Sequence, residues 1–344
     1  MKSIIIGGDF GQAKESSVIN KLAESLNSEK LNGGSVSDIE SISNNVNDFD
    51  LIIWAPNINN DIEKIYPKKS SGVVLICSKV LRENRDFGDA VARIFKMNGN
   101  AVITINSDER PFKFNLIDAL GNVWCSTSNI TELSSKITDL YKWTKASTRV
   151  GSSNVTFPKN ELCELELSEL CGIVREVADK VENERGGRYF GNVSTRCGKM
   201  FPSYRISEDI ILMSGRNVAK DRLTSEDFVF TKLLDNKVLY HGDKKPSVDT
   251  PIQLNMYKEF KNINFIIHGH AYIDGAVTTD HYFPCGDLRE LSAVKEKIGI
   301  NSNEIILNLK NHGFIIGANT IQDLKRIINA NFKARKVGIE VANG

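Results

Sequence analysis

Unbroken apolar runs recur through the N-terminal part of the chain: Ile4-Ile5-Ile6, Leu51-Ile52-Ile53-Trp54, Val73-Val74-Leu75-Ile76 and Val102-Ile103. Runs with no polar interruption predict strands covered on both faces, as in a parallel sheet. Helical patterns at residues 16–25, 87–97 and 131–145 fall between and after them. Strands alternating with helices predict an open α/β sheet of the Rossmann or flavodoxin kind over residues 1–147. Residues 112–116 and 122–125, joined across Leu120-Gly121, read as an added hairpin. The first turn, residues 7–12, is where such a sheet takes a phosphate or nucleotide, but it has neither a G-x-G-x-x-G nor a Walker lysine pattern. A plain tight turn and a ligand loop both remain open there, and with them the role of this domain.

Residues 146–157 are rich in Ser, Thr and Gly and predict a linker, so a second domain is expected over residues 158–344. It begins with a long amphipathic pattern at 162–181, whose apolar positions Leu167, Leu170, Ile173, Val174 and Val177 share one helical face. Further helices are expected at 252–260 and 321–337, and a strand at 210–213 ends in Ser214-Gly215. Thr224 reads as a helix N-cap with Asp227 in the first turn.

The informative stretch is Phe265-Ile266-Ile267-His268-Gly269-His270. On a strand, residues two apart project to one side, so His268 and His270 face the same way, with Gly269 permitting close approach. His312 follows a second apolar run (Ile305, Ile306, Leu307, Leu309) and precedes Gly313 and Phe314. The chain has five histidines, and three of them sit at β-like runs, which is the donor set a divalent ion requires. Asp249, before the helix expected at 252–260, has two roles open to it: a cap favoured by the helix dipole, or a carboxylate directed at the ion. Gly191-Asn192-Val193-Ser194 offers small residues and polar donors to an anion.

Whole-chain numbers narrow the partners. With 25% charged residues and a formal net charge of +1, no basic face or polybasic run argues for nucleic acid or an anionic membrane. No apolar run is long enough to span a bilayer, and the first residues lack the shape of a signal peptide. Six scattered cysteines without a C-x-x-C predict reduced thiols and a cytoplasmic protein.

Residues 244–251 (Lys-Lys-Pro-Ser-Val-Asp-Thr-Pro), the His-x-His at 268–270, Thr278-Thr279, Tyr282-Phe283, Pro284-Cys285 and Arg289 follow one another in a specific order. Together with Gly191-Asn192 and Asn311-His312-Gly313, this order resembles the class II aldolase/adducin-head family, and within it the L-ribulose-5-phosphate 4-epimerases. The likeness covers roughly residues 160 to 335 and leaves the N-terminal part unexplained. It implies an α/β/α domain with a central, mainly antiparallel sheet, assembled as a homotetramer.

The resemblance further implies a divalent metal, commonly zinc, held by His268, His270 and His312, with Asp249 as proton acceptor. It implies a phosphorylated sugar or polyol whose phosphate meets Asn192, Ser194, Ser214, Gly215 and Ser247. The chemistry expected is reversible retro-aldol C–C cleavage through a metal-stabilised enediolate, as an aldolase or an epimerase. Three departures stand out. Val248 replaces the second serine of the phosphate pair, and a shortened segment leaves either His281 or Asp280 as the catalytic acid. The family's C-terminal segment, which carries a catalytic Tyr, has no counterpart after the last helix, so Tyr272 is a further donor candidate. A non-catalytic scaffold of the adducin-head type is the alternative.

Overall fold

The computed structural model describes residues 1–7, 16–32, 46–55, 72–81, 87–106, 111–147, 164–181, 183–201 and 206–335. The turn read at residues 7–12 and the linker read at 146–157 fall almost wholly outside the described residues. The chain divides into two compact units, residues 1–146 with 341–344 and residues 147–340.

In the first unit the apolar runs become β1 (Ser3–Gly7), β3 (Leu51–Ala55), β4 (Val74–Leu81) and β5 (Ala101–Asn106). A short strand not foreseen, β2 (Glu29–Asn32), joins the edge, and the expected hairpin forms as β6 (Lys113–Asp118) and β7 (Val123–Thr127). The seven strands lie in the order β2-β1-β3-β4-β5-β6-β7. The first five are parallel, and β6 and β7 are antiparallel. Helices α1 (Ser16–Leu26), α2 (Phe87–Lys96) and α3 (Ile130–Ser147) supply the rest of the unit. Its core gathers Ile5, Leu22, Leu51, Ile53, Ile76, Ile103, Leu116, Ile137 and Leu140, all within a few per cent of full burial. Each such side chain gains roughly 1.5–3 kcal/mol by leaving water, so burial on the sheet faces is the main force holding this unit together.

The second unit is built on an eight-stranded sheet. Its members are β10 (Asn192–Arg196), β11 (Ile211–Ser214), β12 (Phe228–Leu234), β13 (Lys237–His241), β14 (Phe265–Gly269), β16 (Val277–Thr278), β17 (Glu304–Leu309) and β18 (Gly313–Ala318). They run in the order β13-β12-β11-β10-β14-β18-β17-β16, and every pairing is antiparallel except β16 with β17. The short pairs β8 (Glu184–Arg185) with β9 (Arg188–Tyr189), and β15 (Tyr272–Ile273) with β19 (Ala334–Arg335), flank it. One core contains α4 (Glu164–Ala178) and α7 (Ile321–Asn331) against Val193, Leu212, Ile267 and Ile316. The other contains α5 (Thr250–Glu259) and α6 (Arg289–Lys297) against Ile211, Ile266, Ile305 and Ile315. Neighbouring residues of β11, β14 and β18 thus feed different cores, which is why these strands are apolar on both faces, whereas β10 turns Asn192 and Ser194 into a buried polar network.

Helix α7 ends at Asn331, short of residue 337 where the pattern was expected to run. The chain leaves the helix to bury Phe332, whose ring meets Phe314 at 5.4 Å, and then pairs as β19 with Tyr272 and Ile273. Packing of one aromatic outweighs helical periodicity at that point. The turn at Thr224 forms as read: Asp227 accepts from the Thr224 backbone N–H at 3.0 Å, closing a capping box on a single 3₁₀ turn.

Candidate metal centre

Strand β14 lies inside the sheet, hydrogen-bonded to β10 on one side and β18 on the other, with His268 opposite Asn192 and Ile315. His270 follows two residues on, and His312 ends the turn that returns β17 into β18, a turn in which Asn311 takes a left-handed φ of 52°. The three rings converge: centroids are 5.1 Å apart for His268 and His270, 4.8 Å for His268 and His312, and 5.3 Å for His270 and His312. One nitrogen from each ring lies within 4.8 Å of the other two.

The hydrogen bonds decide which nitrogens these are. His268 Nδ1 lies 2.8 Å from the Phe314 carbonyl and must carry its proton there, which leaves the Nε2 lone pair free. His312 Nδ1 is 2.8 Å from Glu290 Oε2, so its Nε2 faces inward, 3.1 Å from Cys285 Sγ. His268 Nε2, His270 Nδ1 and Asp249 Oδ1 are all buried with no hydrogen-bond partner. Buried polar atoms without partners are rare and costly, and several orphans meeting at one point call for a cation. The residues therefore fit a divalent ion by their own chemistry: three converging imidazoles, an adjacent carboxylate, and a carboxylate behind one ligand.

Burial and neighbouring charges act differently on the three rings. Burial pulls His268 down to about 4, with His312 adding to the fall and Asp249 opposing it. His270 is held well below its ordinary range, by burial first and then by His268, His312, Lys220 and Arg185. Burial also pulls on His312, but the charges and hydrogen bonds of Cys285 and Glu290 carry it well above the usual value in the metal-free chain. Burial raises Glu290, only partly offset by His312.

Asp249 stands at the N-cap position of α5 but makes no capping hydrogen bond. Its Oδ2 instead accepts from Asn192 Nδ2 at 2.9 Å and lies 3.8 Å from His268 Nε2. Of its two open roles, the carboxylate beside the histidines is the one the geometry has. Asn192 also donates to Ser247 Oγ at 3.2 Å and accepts from Gln253, whose Oε1 accepts from Ser194 Oγ at 2.5 Å. Ser194 in turn meets the Tyr257 hydroxyl at 2.9 Å. This buried chain of polar groups runs from α5 to the carboxylate and fixes its orientation.

The residues read as a phosphate cradle do not share one surface. The register pairs Ser194 with Met213, so Ser214, next along, lies on the opposite face, where its Oγ accepts from the Val193 N–H at 3.1 Å. Ser194 is fully buried within the network just described. Gly215 forms a bridge with Pro246, which holds Ser247 and Asp249 beside the end of β11. Nor does the structure bring Asp280 into the group: it is exposed, with both carboxylate oxygens 2.9 Å from Lys297 Nζ. That partner holds it ionised, below its ordinary range. His281 is exposed, and the Tyr272 hydroxyl accepts from the Asn311 N–H at 2.5 Å.

Several participants were not legible in the sequence. Cys285 was part of the resemblance and Glu290 sits next to Arg289, which was too, but nothing local marks either as a partner of His312. Phe190 stacks on His270 with centroids 5.0 Å apart. Lys220 is 4% exposed and acts electrostatically on His268 and His270.

Glycines make the close approaches possible. At Gly191, φ is 73° and an added Cβ would stand 2.6 Å from the His268 carbonyl oxygen. At Gly269 an added Cβ would stand 2.7 Å from the Phe314 ring, so the approach expected there is real.

Comparison with known proteins places this region. Residues 169–279 match the family described as Class II Aldolase and Adducin N-terminal domain, so the class II aldolase resemblance read in the C-terminal half is shown over those residues. Among solved structures, an L-fuculose 1-phosphate aldolase is similar at 15% identity and a TM-score of 0.34, covering 49% of this chain and 84% of its own. The L-fuculose-1-phosphate aldolase from Thermus thermophilus is similar at 14% identity and a TM-score of 0.32, covering 46% and 85%. The N-terminal class II aldolase domain of a conserved protein from Thermoplasma acidophilum is similar at 15% identity and a TM-score of 0.35, covering 51% and 93%. Among the described residues, no helix is long and apolar enough to cross a membrane.

Proposed function

We propose that the C-terminal unit is a divalent-metal-dependent lyase or 4-epimerase of the class II aldolase type, acting on a phosphorylated sugar or polyol. The observation that carries this reading is the meeting of orphaned donors on His268 and His270 with the inward Nε2 of His312, beside the partnerless Oδ1 of Asp249. His268, His270 and His312 would hold the ion, and zinc suits a three-imidazole donor set. When bound, such an ion supplies Lewis acidity to a substrate carbonyl. Asp249, oriented by Asn192, accepts the hydroxyl proton whose loss starts C–C cleavage. His281 is the better of the two acid candidates, because Lys297 keeps Asp280 ionised and so unable to donate. Asn192, Ser247 and the backbone at Gly215 are the candidates for a substrate phosphate beside Asp249, while Ser194 holds the Gln253 that positions Asn192 and Ser214 meets the Val193 N–H on the other face.

The domain limits 1–147 and 158–344, a Rossmann-like reading of the first sheet, assembly as a homotetramer and a cytoplasmic location complete the proposal. The parallel order of the first sheet supports the second of these, and the family resemblance supports the third.

The test is metal content and chemistry together. The purified protein is expected to carry about one divalent ion per chain, and the His268→Ala variant to lose it along with retro-aldol cleavage of ketose phosphates. Wild-type protein that takes up no metal would leave the non-catalytic scaffold as the better reading.

A further inference from the structure

An anion entering this site meets few unspent donors among the residues the family resemblance assigns to it. Asn192 and Ser194 are committed to Asp249, Gln253 and Tyr257. Arg216 is different. Its backbone N–H donates to the Lys245 carbonyl at 2.7 Å, one residue past the bridge between Gly215 and Pro246, so the turn after β11 holds it against the segment that carries Asp249. Its Nε and Nη2, two N–H groups on one edge of a planar guanidinium, are buried and have no hydrogen-bond partner. The Asp249 carboxylate is close enough for its charge to act on that guanidinium. An arginine edge is the donor geometry that matches two oxygens of one anion.

We propose that Arg216 is the anion-recognition residue of this site, its Nε–H and Nη2–H gripping two oxygens of a carboxylate or phosphate on the substrate. Resting on the metal-centre reading above, this makes Arg216 the residue that selects an anionic substrate. Lys220, itself buried, adds positive charge that is felt at His268 and His270. The arrangement favours anions over neutral polyols, because a hydroxyl oxygen accepts from the fork without the charge assistance that a carboxylate or phosphate gives.

The test titrates inorganic phosphate and acetate, separately, into the metal-loaded and metal-free protein, with the Arg216→Gln and Arg216→Lys variants alongside. Loss of a charge-assisted fork is expected to weaken the recognised anion about tenfold to a hundredfold in Arg216→Gln. Arg216→Lys, which keeps the charge but not the fork, is expected to recover only part of this and to control for folding. Phosphate responding alone assigns a phosphoryl group, and acetate responding alone assigns a carboxylate. Wild-type affinity for both anions in Arg216→Gln, or full recovery in Arg216→Lys, overturns the proposal. Metal content keeps the two readings apart. A protein that binds no metal but still needs Arg216 for anions fails the metal reading alone. A normally loaded Arg216→Gln protein with unchanged anion binding fails this inference alone.

Discussion

At the scale of single residues, the site is a set of protonation states imposed by neighbours. His268 and His270 are kept neutral by burial, so they offer lone pairs at neutral pH. His312 is held protonated in the metal-free chain by Cys285 and Glu290 against the pull of burial. An ion must displace that proton, so metal binding near pH 7 is expected to release about one proton per site. The sign follows: affinity falls by about tenfold for each pH unit below the raised value of His312, and levels off above it. Below about pH 4, where His268 also titrates, the dependence steepens. Calorimetry in buffers of different ionisation enthalpy measures the proton count directly, and no release at neutral pH would show that His312 is neutral beforehand. Glu290 supplies the same point as a mutation. Glu290→Gln removes the charge behind His312 Nδ1, and metal affinity is expected to drop about tenfold to a hundredfold. Competition with a chromophoric chelator reads that loss, and the same variant should release less than one proton on binding.

At the scale of elements, the histidines are placed by where strands end rather than by the strands' composition. The i, i+2 spacing of His268 and His270 was legible because strand side chains alternate, and His312 was legible as the end of an apolar run. The role of Asp249 was open, since a residue before a helix reads equally as a cap. Only the absence of a capping bond and the presence of Asn192 across the sheet settle its orientation. The split of Ser194 and Ser214 onto opposite faces was beyond a sequence reading, because register between β10 and β11 depends on chain far away. So was Glu290, which reaches His312 across 22 residues of separation from a helix with no marking of its own. Gly191 links the element to the site. Its left-handed φ lets β10 begin against the His268 carbonyl, so Gly191→Ala combines backbone strain with a close contact. A loss of about 1–3 kcal/mol is expected, read by urea denaturation of the metal-free protein. A change below a few tenths would mean that β10 shifts freely there.

At the scale of the molecule, two units with separate cores share one chain. The first is held by Ile5, Leu51, Ile76 and Leu116 within a largely parallel sheet, and its polarity pattern was legible throughout, apart from the short edge strand β2. The second is held by two cores on either side of an antiparallel sheet, and all the orphaned donors of the metal centre lie in that sheet or the turns at its ends. A ligand stabilises whatever structure holds its binding groups, by about 2.7 kcal/mol at a hundredfold excess over its dissociation constant. The free energy of an ion at His268, His270 and His312 therefore belongs to the second unit. Chelation is expected to speed amide exchange in β14 and β18 by up to about a hundredfold, while β3 and β4 of the first unit exchange as before. Hydrogen exchange followed by mass spectrometry, with and without a chelator, separates the two sheets in one experiment. An equal acceleration in β3 and β4 would mean that the first unit depends on the metal-bound second for its own stability, against the separate cores from which each is built.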